Sequence, residues 1–181
     1  MKKTPIRFIA TILALVPLLQ SCAGVVGEDR RTSATALEDQ TIELKIRERI
    51  KEKYEDKVHV NGNCFNRFVL LTGEAPTDEI KQDLTIVALE VQNVRNVQNE
   101  VIVAGNSSFI SRSSDTLLIR RVMGRLMQNE RVSTNNVKVV TEDGTVFLMG
   151  LVTRAEAESA AQIAATTSGA QKVVKVFEYI D

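Results

Sequence analysis

The sequence is poor in the residues that build nucleic-acid, metal and redox sites. Its 181 residues include no Trp, two Tyr, one His and two Cys, and the formal net charge is zero. Few stacking aromatics and no excess positive charge argue against a nucleic-acid partner. Two cysteines and one histidine are too few for a disulfide framework or a Cys/His zinc site. We therefore expect no metal, cofactor or nucleic acid among the ligands.

The single histidine, His59, lies close in sequence to Cys64, which invites a Cys–His catalytic interpretation. We predict His59 in a strand and Cys64 in the loop that follows it. Nucleophilic catalysis also needs a group that orients the histidine and an element that binds the oxyanion, and the sequence shows neither. We interpret Cys64 as a packed or solvated thiol and expect no catalytic residue and no enzyme.

Residues 1–21 have the pattern of a bacterial signal peptide. Lys2, Lys3 and Arg7 precede an apolar run over Phe8–Leu19, which is too short to span a bilayer as a permanent helix. The segment Leu19-Gln20-Ser21-Cys22 that follows resembles the bacterial lipobox. An ordinary signal peptide with an incidental cysteine is the alternative.

The lipobox resemblance implies cleavage before Cys22, a thioether-linked lipid on its sulfur and acylation, such as palmitate, on its new amine. Ala23 stands where an inner-membrane retention signal usually has Asp, so the resemblance implies the outer membrane, facing the periplasm. Residues 22–37 are polar without sustained periodicity, and we interpret them as a solvated tether. Without Lys2, Lys3 and Arg7, the mature chain keeps 20 of 23 basic side chains against 23 acidic ones.

One strand motif occurs twice. Val69-Leu70-Leu71-Thr72-Gly73 aligns with Val146-Phe147-Leu148-Met149-Gly150 at an offset of 77 residues. Asp143-Gly144 between two β-prone runs predicts a hairpin before the second copy. In the first hairpin we place Asn61-Gly62-Asn63 in the connection.

The same neighbours surround both hairpins. Ile42, Ile46 and Ile50 form a helical stripe that Leu118, Val122 and Leu126 repeat 76 residues later, and Asp39 and Asp115 are the matching predicted N-caps. Thr153 and Glu156 fit a capping box for a second helix, and a last strand closes each unit. The sequence predicts an α+β fold of two tandem αββαβ modules, each a small mixed sheet with two helices on one face. They span 38–104 and 113–181, joined by a linker over 105–112.

Two such units behind a lipobox resemble dual BON-domain lipoproteins. The resemblance covers nearly the whole mature chain and is strongest over Asn135–Gly169. It implies periplasmic domains without catalysis or cofactor. It also implies binding of anionic phospholipid by the second module and a role in outer-membrane integrity.

The first helix of the second module carries the lipid hypothesis. From Arg112 to Arg131 five arginines stand against two acids, whereas Asp39–Asp56 has five bases and six acids. Basic groups beside exposed apolar ones are typical of an interfacial helix. The predicted lipid-binding residues are Leu117, Arg120, Arg121, Met123, Arg125 and Met127.

The expected partners are anionic phospholipids, phosphatidylglycerol or cardiolipin, and the outer membrane through Cys22. Two alternatives remain open at this point. Met123 and Met127 could pack on the other module with the arginines merely solvated, since long methionine side chains fill interdomain gaps readily. The protein could also be an interaction scaffold that docks an envelope protein without recognising a lipid headgroup.

Overall fold

The computed structural model describes residues 28–104 and 112–181, so the predicted signal peptide, Cys22 and residues 105–111 of the predicted linker lie outside it. Two consecutive αββαβ units confirm the predicted fold. The first unit contains α1 (Ser33–Tyr54), β1 (His59–Phe65), β2 (Phe68–Ala75), α2 (Asp78–Leu89), β3 (Asn96–Asn99) and β4 (Ile102–Val103). The second contains α3 (Arg112–Met127), a 3-10 turn (Thr134–Asn136), β5 (Val137–Glu142), β6 (Thr145–Val152), α4 (Arg154–Ala165) and β7 (Lys172–Tyr179).

Each module forms a mixed sheet around its second strand. β1 pairs antiparallel with β2, and β3 and β4 pair parallel with other parts of β2. In the second module β5, β6 and β7 repeat this order, with β6 in the centre. The parallel partner is reached through α2 or α4, because a parallel pair needs a crossover connection.

Both faces of the central strands are buried. Val69 and Leu71 of β2 pack under α1 and α2, and Val146 and Leu148 of β6 pack under α3 and α4. The alternate side chains point away from the helices. They form a third cluster that contains residues of both sheets: Phe65, Leu70, Val140, Phe147, Met149 and Val176. The modules therefore stack sheet against sheet, with the helices outside.

Helix α1 begins earlier than the sequence predicted. Its N-cap is Thr32, whose hydroxyl accepts a hydrogen bond from the Thr35 amide at 3.1 Å. The interpretation of residues 33–37 as tether and of Asp39 as N-cap is therefore wrong. Asp39 lies in the second turn of α1 and is only 2% exposed. Similarly, Asp115 lies inside α3, which the structure begins at Arg112.

The two aligned aspartates instead hold the hairpin turns. The Asp39 carboxylate accepts hydrogen bonds from the amides of Asn66 and Arg67, each at 2.7 Å. Asp115 accepts from the Asp143 and Gly144 amides, each at 3.1 Å. All four turn residues have positive φ, which points their amides to one side of the turn. One carboxylate can then bind both amides.

The first hairpin turns at Asn66-Arg67, so its predicted connection at residues 61–63 is wrong. Those residues belong to β1 and pair with β2, and so does Cys64, which the sequence placed in a loop. The predicted closing strand of this module is interrupted between Asn99 and Ile102, and Val103 is exposed.

Gly73 lies within β2, at φ +116°, where an added Cβ would be 2.0 Å from the His59 carbonyl oxygen. A glycine at this position therefore allows β1 and β2 to approach each other closely. In the second module α4 ends at Ala165.

We expect Asp39→Asn to destabilise the protein more than Asp115→Asn. The asparagine would present an NH₂ group to donors and leave buried amides unpaired, at a cost of about 1–3 kcal/mol at Asp39. Asp115 is more exposed, so water can replace part of its role. Urea unfolding of both variants measures the difference. Equal losses would show that burial of Asp39 does not matter.

Candidate functional site

The solvent face of α3 carries two large apolar side chains around a basic one. Leu117 is 49% exposed and Met127 is 68% exposed. At about 100° per residue, Leu117, Arg120, Gly124 and Met127 share the side of the helix opposite the core stripe. Gly124 would meet nothing within 4 Å if a Cβ were added, so this face is open.

Arg121 and Arg125 lie on the edge of α3 that faces the end of α4. Arg125 donates from Nη1 to the Ile163 carbonyl and the Thr167 hydroxyl, both at 2.9 Å, and Arg121 donates to the Ser168 carbonyl at 3.2 Å. The Ile163 carbonyl belongs to the last turn of α4, the negative end of the helix dipole, where cations are stabilising, and Ser168 lies just beyond it. Because the acceptors are neutral, both guanidinium groups keep their net charge.

The matching helix of the first module has a different charge pattern. Lys53 pairs with Asp83 at 2.6 Å, Arg49 lies 3.7 Å from Glu90, and α1 itself contains five basic and five acidic residues. Helix α3 contains four arginines and one aspartate. Among the described residues, Arg120, Arg121 and Arg125 form no salt bridge. The positive charge of α3 is therefore not balanced locally.

Met123 does not share this face. It is half-buried, packs against the core of the second module and, with Ile119, lines a cleft toward α1. Asp39 and Lys138 line the same cleft. The sequence groups Met123 with Met127 among the lipid-binding residues, but the structure leaves Met123 half-buried in this cleft and Met127 exposed. The two methionines face different surroundings.

Polar contacts between the modules were not predicted from the sequence. Lys138 pairs with Glu43 and donates to the Cys64 carbonyl at 3.3 Å. Glu178 accepts from Asn66 at 2.9 Å and pairs with Arg95. Each contact joins residues far apart in sequence, so no local pattern indicates it.

The geometry around Cys64 does not form a nucleophile. Its thiol is 1% exposed and donates to Asp39 at 3.3 Å, while His59 lies at the opposite end of β1. Burial, followed by the charge of Asp39, raises the pKa of the Cys64 thiol far above its usual range. The thiolate, which is the reactive form, is therefore disfavoured.

Comparison with known proteins identifies both modules. The family model for the BON domain matches residues 38–105 and again 114–181. The chain belongs to the BON-domain family. It is 36% identical, over the full length of both chains, to the outer membrane lipoprotein DolP of Haemophilus influenzae. It is 29% identical to the 21 kDa hemolysin of Actinobacillus pleuropneumoniae, over 84% of this chain and 79% of that one.

The full-length relationship supports the predicted location of this BON-domain protein as an outer-membrane lipoprotein. Within residues 28–104 and 112–181, no helix is both long and apolar enough to cross a membrane. Cys22 lies outside these residues, so its modification stays a prediction.

Solved structures resemble the chain more distantly. The C-terminal domain of CdsD, a structural protein of the type III secretion system of Chlamydia trachomatis, matches 76% of this chain and 96% of its own length. The sequence identity is 14% and the TM-score is 0.32. A second CdsD structure gives a TM-score of 0.30 at the same identity.

Glu142, an acidic residue at the interface between the two BON modules, is partly buried in a way that disfavours its charged form. Burial raises the pKa of Glu142; the neighbouring Thr72 and Asn61 side chains oppose this shift, and the charges of Asp115 and Glu74 reinforce it. Because the folded state favours the protonated form, this carboxyl costs no stability below its ordinary pKa. The cost grows as the pH rises through the raised pKa.

Glu142→Gln should therefore stabilise the protein at pH 7 and give no gain near pH 4, where wild-type Glu142 is protonated. Melting temperatures across this pH range measure the effect. Glu158→Gln, at an exposed position of α4, is the matched control. A pH-independent gain would assign the effect to packing instead of charge.

Proposed function

We propose that this BON-domain protein is a non-enzymatic lipoprotein that binds anionic phospholipid through α3 and thereby supports outer-membrane integrity. Cys22 carries the lipid anchor. The lipid surface consists of Leu117, Arg120 and Met127, with Arg121 and Arg125 along its edge. We expect Met123 to contribute to inter-module packing and not to membrane contact.

The observation that carries this proposal is the pairing of exposed apolar side chains with unbalanced charge on one helix face. Leu117 and Met127 lie about three helical turns apart, with Arg120 and Gly124 between them. An interfacial helix needs an apolar face that enters the acyl boundary and cations that meet the headgroups. Each arginine near an anionic surface contributes about 1 kcal/mol.

The exposed apolar residues of α1 support the contrast between modules. Leu37 and Leu44 are also exposed, at 65% and 53%, but they stand on a helix whose charges balance. Apolar exposure without excess positive charge gives no preference for anionic lipid. The same residues favour the alternative function, an envelope scaffold, because exposed leucines on a balanced surface suit a protein partner.

The charge test uses the soluble mature chain without residues 1–22. Wild type should float with phosphatidylglycerol or cardiolipin vesicles and not with purely zwitterionic ones, and binding should weaken as salt screens the arginines. Arg120→Glu changes the charge by two units, which should weaken binding by about 2 kcal/mol. The affinity should therefore fall about thirtyfold. Lys45→Glu, at an exposed position of α1, is the matched control. If wild type ignores anionic vesicles at low salt, the scaffold function replaces the lipid one.

The apolar test uses the same assay at moderate salt. Met127→Asp should remove the salt-resistant part of binding, because burial of apolar surface is not screened. Leu44→Asp makes the same kind of change at a similarly exposed position of the first module and should leave flotation unchanged. Equal losses in the two variants would remove α3 as the lipid surface.

The anchor is tested by the intact mass of the mature protein. Processing at the lipobox should give a chain that begins at Cys22 and carries diacylglycerol and an N-acyl group. Cys22→Ala should yield an unlipidated protein that leaves the outer-membrane fraction. A wild-type chain with a free Cys22 thiol would contradict the lipoprotein anchor.

A further inference from the structure

The residues just before α1 are docked on the second module. Arg30 donates from its backbone amide to Asn136 Oδ1 at 2.9 Å and from Nη1 to the Leu151 carbonyl at 2.9 Å. Its guanidinium also forms a two-pronged pair with Glu156, at 2.7 and 2.8 Å. Two parallel charge-assisted hydrogen bonds give both strength and a fixed orientation.

The next residue is docked on the first module. Arg31 donates to the buried Asp39 carboxylate at 3.0 Å, and its guanidinium lies 3.8 Å from the centre of the Phe65 ring. Asp29 accepts from the Arg31 guanidinium at 2.9 Å and orients it. Two consecutive arginines therefore join the two modules beside the start of α1.

The capping box of α4 already holds the Glu156 carboxylate in place for its pair with Arg30. Glu156 is the N3 residue of this capping box, where its carboxylate accepts from the Thr153 amide at 2.7 Å. Hydrogen bonds from Arg30 lower the pKa of Glu156 to about 2. The carboxylate is therefore ionised throughout the neutral range, and the pair weakens only as the pH falls from about 5 toward 2.

Arg30 is close in sequence to the proposed anchor and lies beside the residues that follow α3. Arg30 is the eighth residue after Cys22, an offset that an extended chain spans in at most about 29 Å. Arg30 also lines one surface hollow with Glu130 and Arg131, which follow the C-terminal end of α3. A chain docked at Arg30 therefore limits how far this end of α3 can lie from the lipidated cysteine.

We infer that Arg30 and Arg31 form a clasp that docks the anchored end of the chain on both modules and so positions α3 toward the membrane. Arg30 is a positioning residue, since the lipid surface itself does not include it. This inference rests on the proposed anchor and lipid surface. The clasp itself needs neither lipid nor anchor, so it is tested separately.

The first experiment measures docking in solution. Arg30-Arg31 is itself a trypsin site, and a docked segment is cut only after it opens. Glu156→Gln keeps the capping box, because Gln serves at N3, but removes the charge that Arg30 meets. Cleavage at residues 30–31 should become about fivefold to tenfold faster. Glu158→Gln, the same change two residues along α4, should cut like wild type.

A second variant guards against an effect of Glu156 on folding. Arg30→Lys retains the trypsin site and the charge but loses the two-pronged geometry, and it should also be cut faster. Melting temperatures near that of wild type would confirm that only the segment has opened. If Glu156→Gln and Arg30→Lys are both cut at the wild-type rate, the clasp does not exist in solution.

The second experiment measures positioning. The mature chain is coupled through Cys22 to a maleimide lipid in phosphatidylglycerol vesicles, with Cys64 buried and unreactive. Amide exchange in α3 should be slower in wild type than in Glu156→Gln. The uncoupled chains without residues 1–22 should float equally well. Equal exchange in the coupled proteins would overturn the positioning role, whereas failure of wild type to float would overturn the lipid surface and leave the clasp intact.

Discussion

The structure depends on the burial of both faces of its two central strands. Val69 and Leu71 point to the helices of their own module, and Leu70 between them points the other way. Two helices cover only one face of a sheet, so the second face needs another partner. The other module supplies it through Phe147 and Met149. Fully burying such a side chain contributes about 1.5–3 kcal/mol, and the six clustered residues together rival the stability of a small domain. One module alone would expose this surface to water.

The two modules share the same αββαβ framework but differ in the contacts that equivalent residues make. Asp39 and Asp115 hold equivalent hairpin turns, although one turn reads Asn-Arg and the other Asp-Gly. Asp39 also receives Arg31 and the Cys64 thiol, which explains its deeper burial. The same position therefore serves folding in both modules and joins the N-terminal segment only in the first.

Local periodicity was sufficient to predict the elements and the αββαβ order. The stripe of Ile42, Ile46 and Ile50 is fully buried, and the capping box at Thr153 is formed as predicted. The sequence predicts an N-cap at Asp39 because an aspartate before an apolar stripe gives the same local signal in either role. The contacts of Arg30 could not be predicted, since its partners lie more than 100 residues away.

The stacking of the modules did leave a signal in the sequence. Strands buried on both faces are almost continuously apolar, whereas strands with one wet face alternate. Val69-Leu70-Leu71 and Val146-Phe147-Leu148-Met149 are continuous runs. They predict two covered faces per sheet, and only one face can belong to the helices. The same stacking places residues of α1 beside Met123, so this flank of α3 lines a cleft.

The placement of charge, and not its total, distinguishes the surfaces of this neutral chain. Where arginines and lysines join parts of the protein, they meet carboxylates: Arg30 meets Glu156, and Lys138 meets Glu43. On α3 the contacts of Arg121 and Arg125 are with carbonyl oxygens, which orient a guanidinium without neutralising it. A helix whose arginines served only stability would gain more from carboxylate partners at those distances. Arginines held by neutral acceptors present their charge to the surroundings, and on α3 that charge lies beside the open face between Leu117 and Met127.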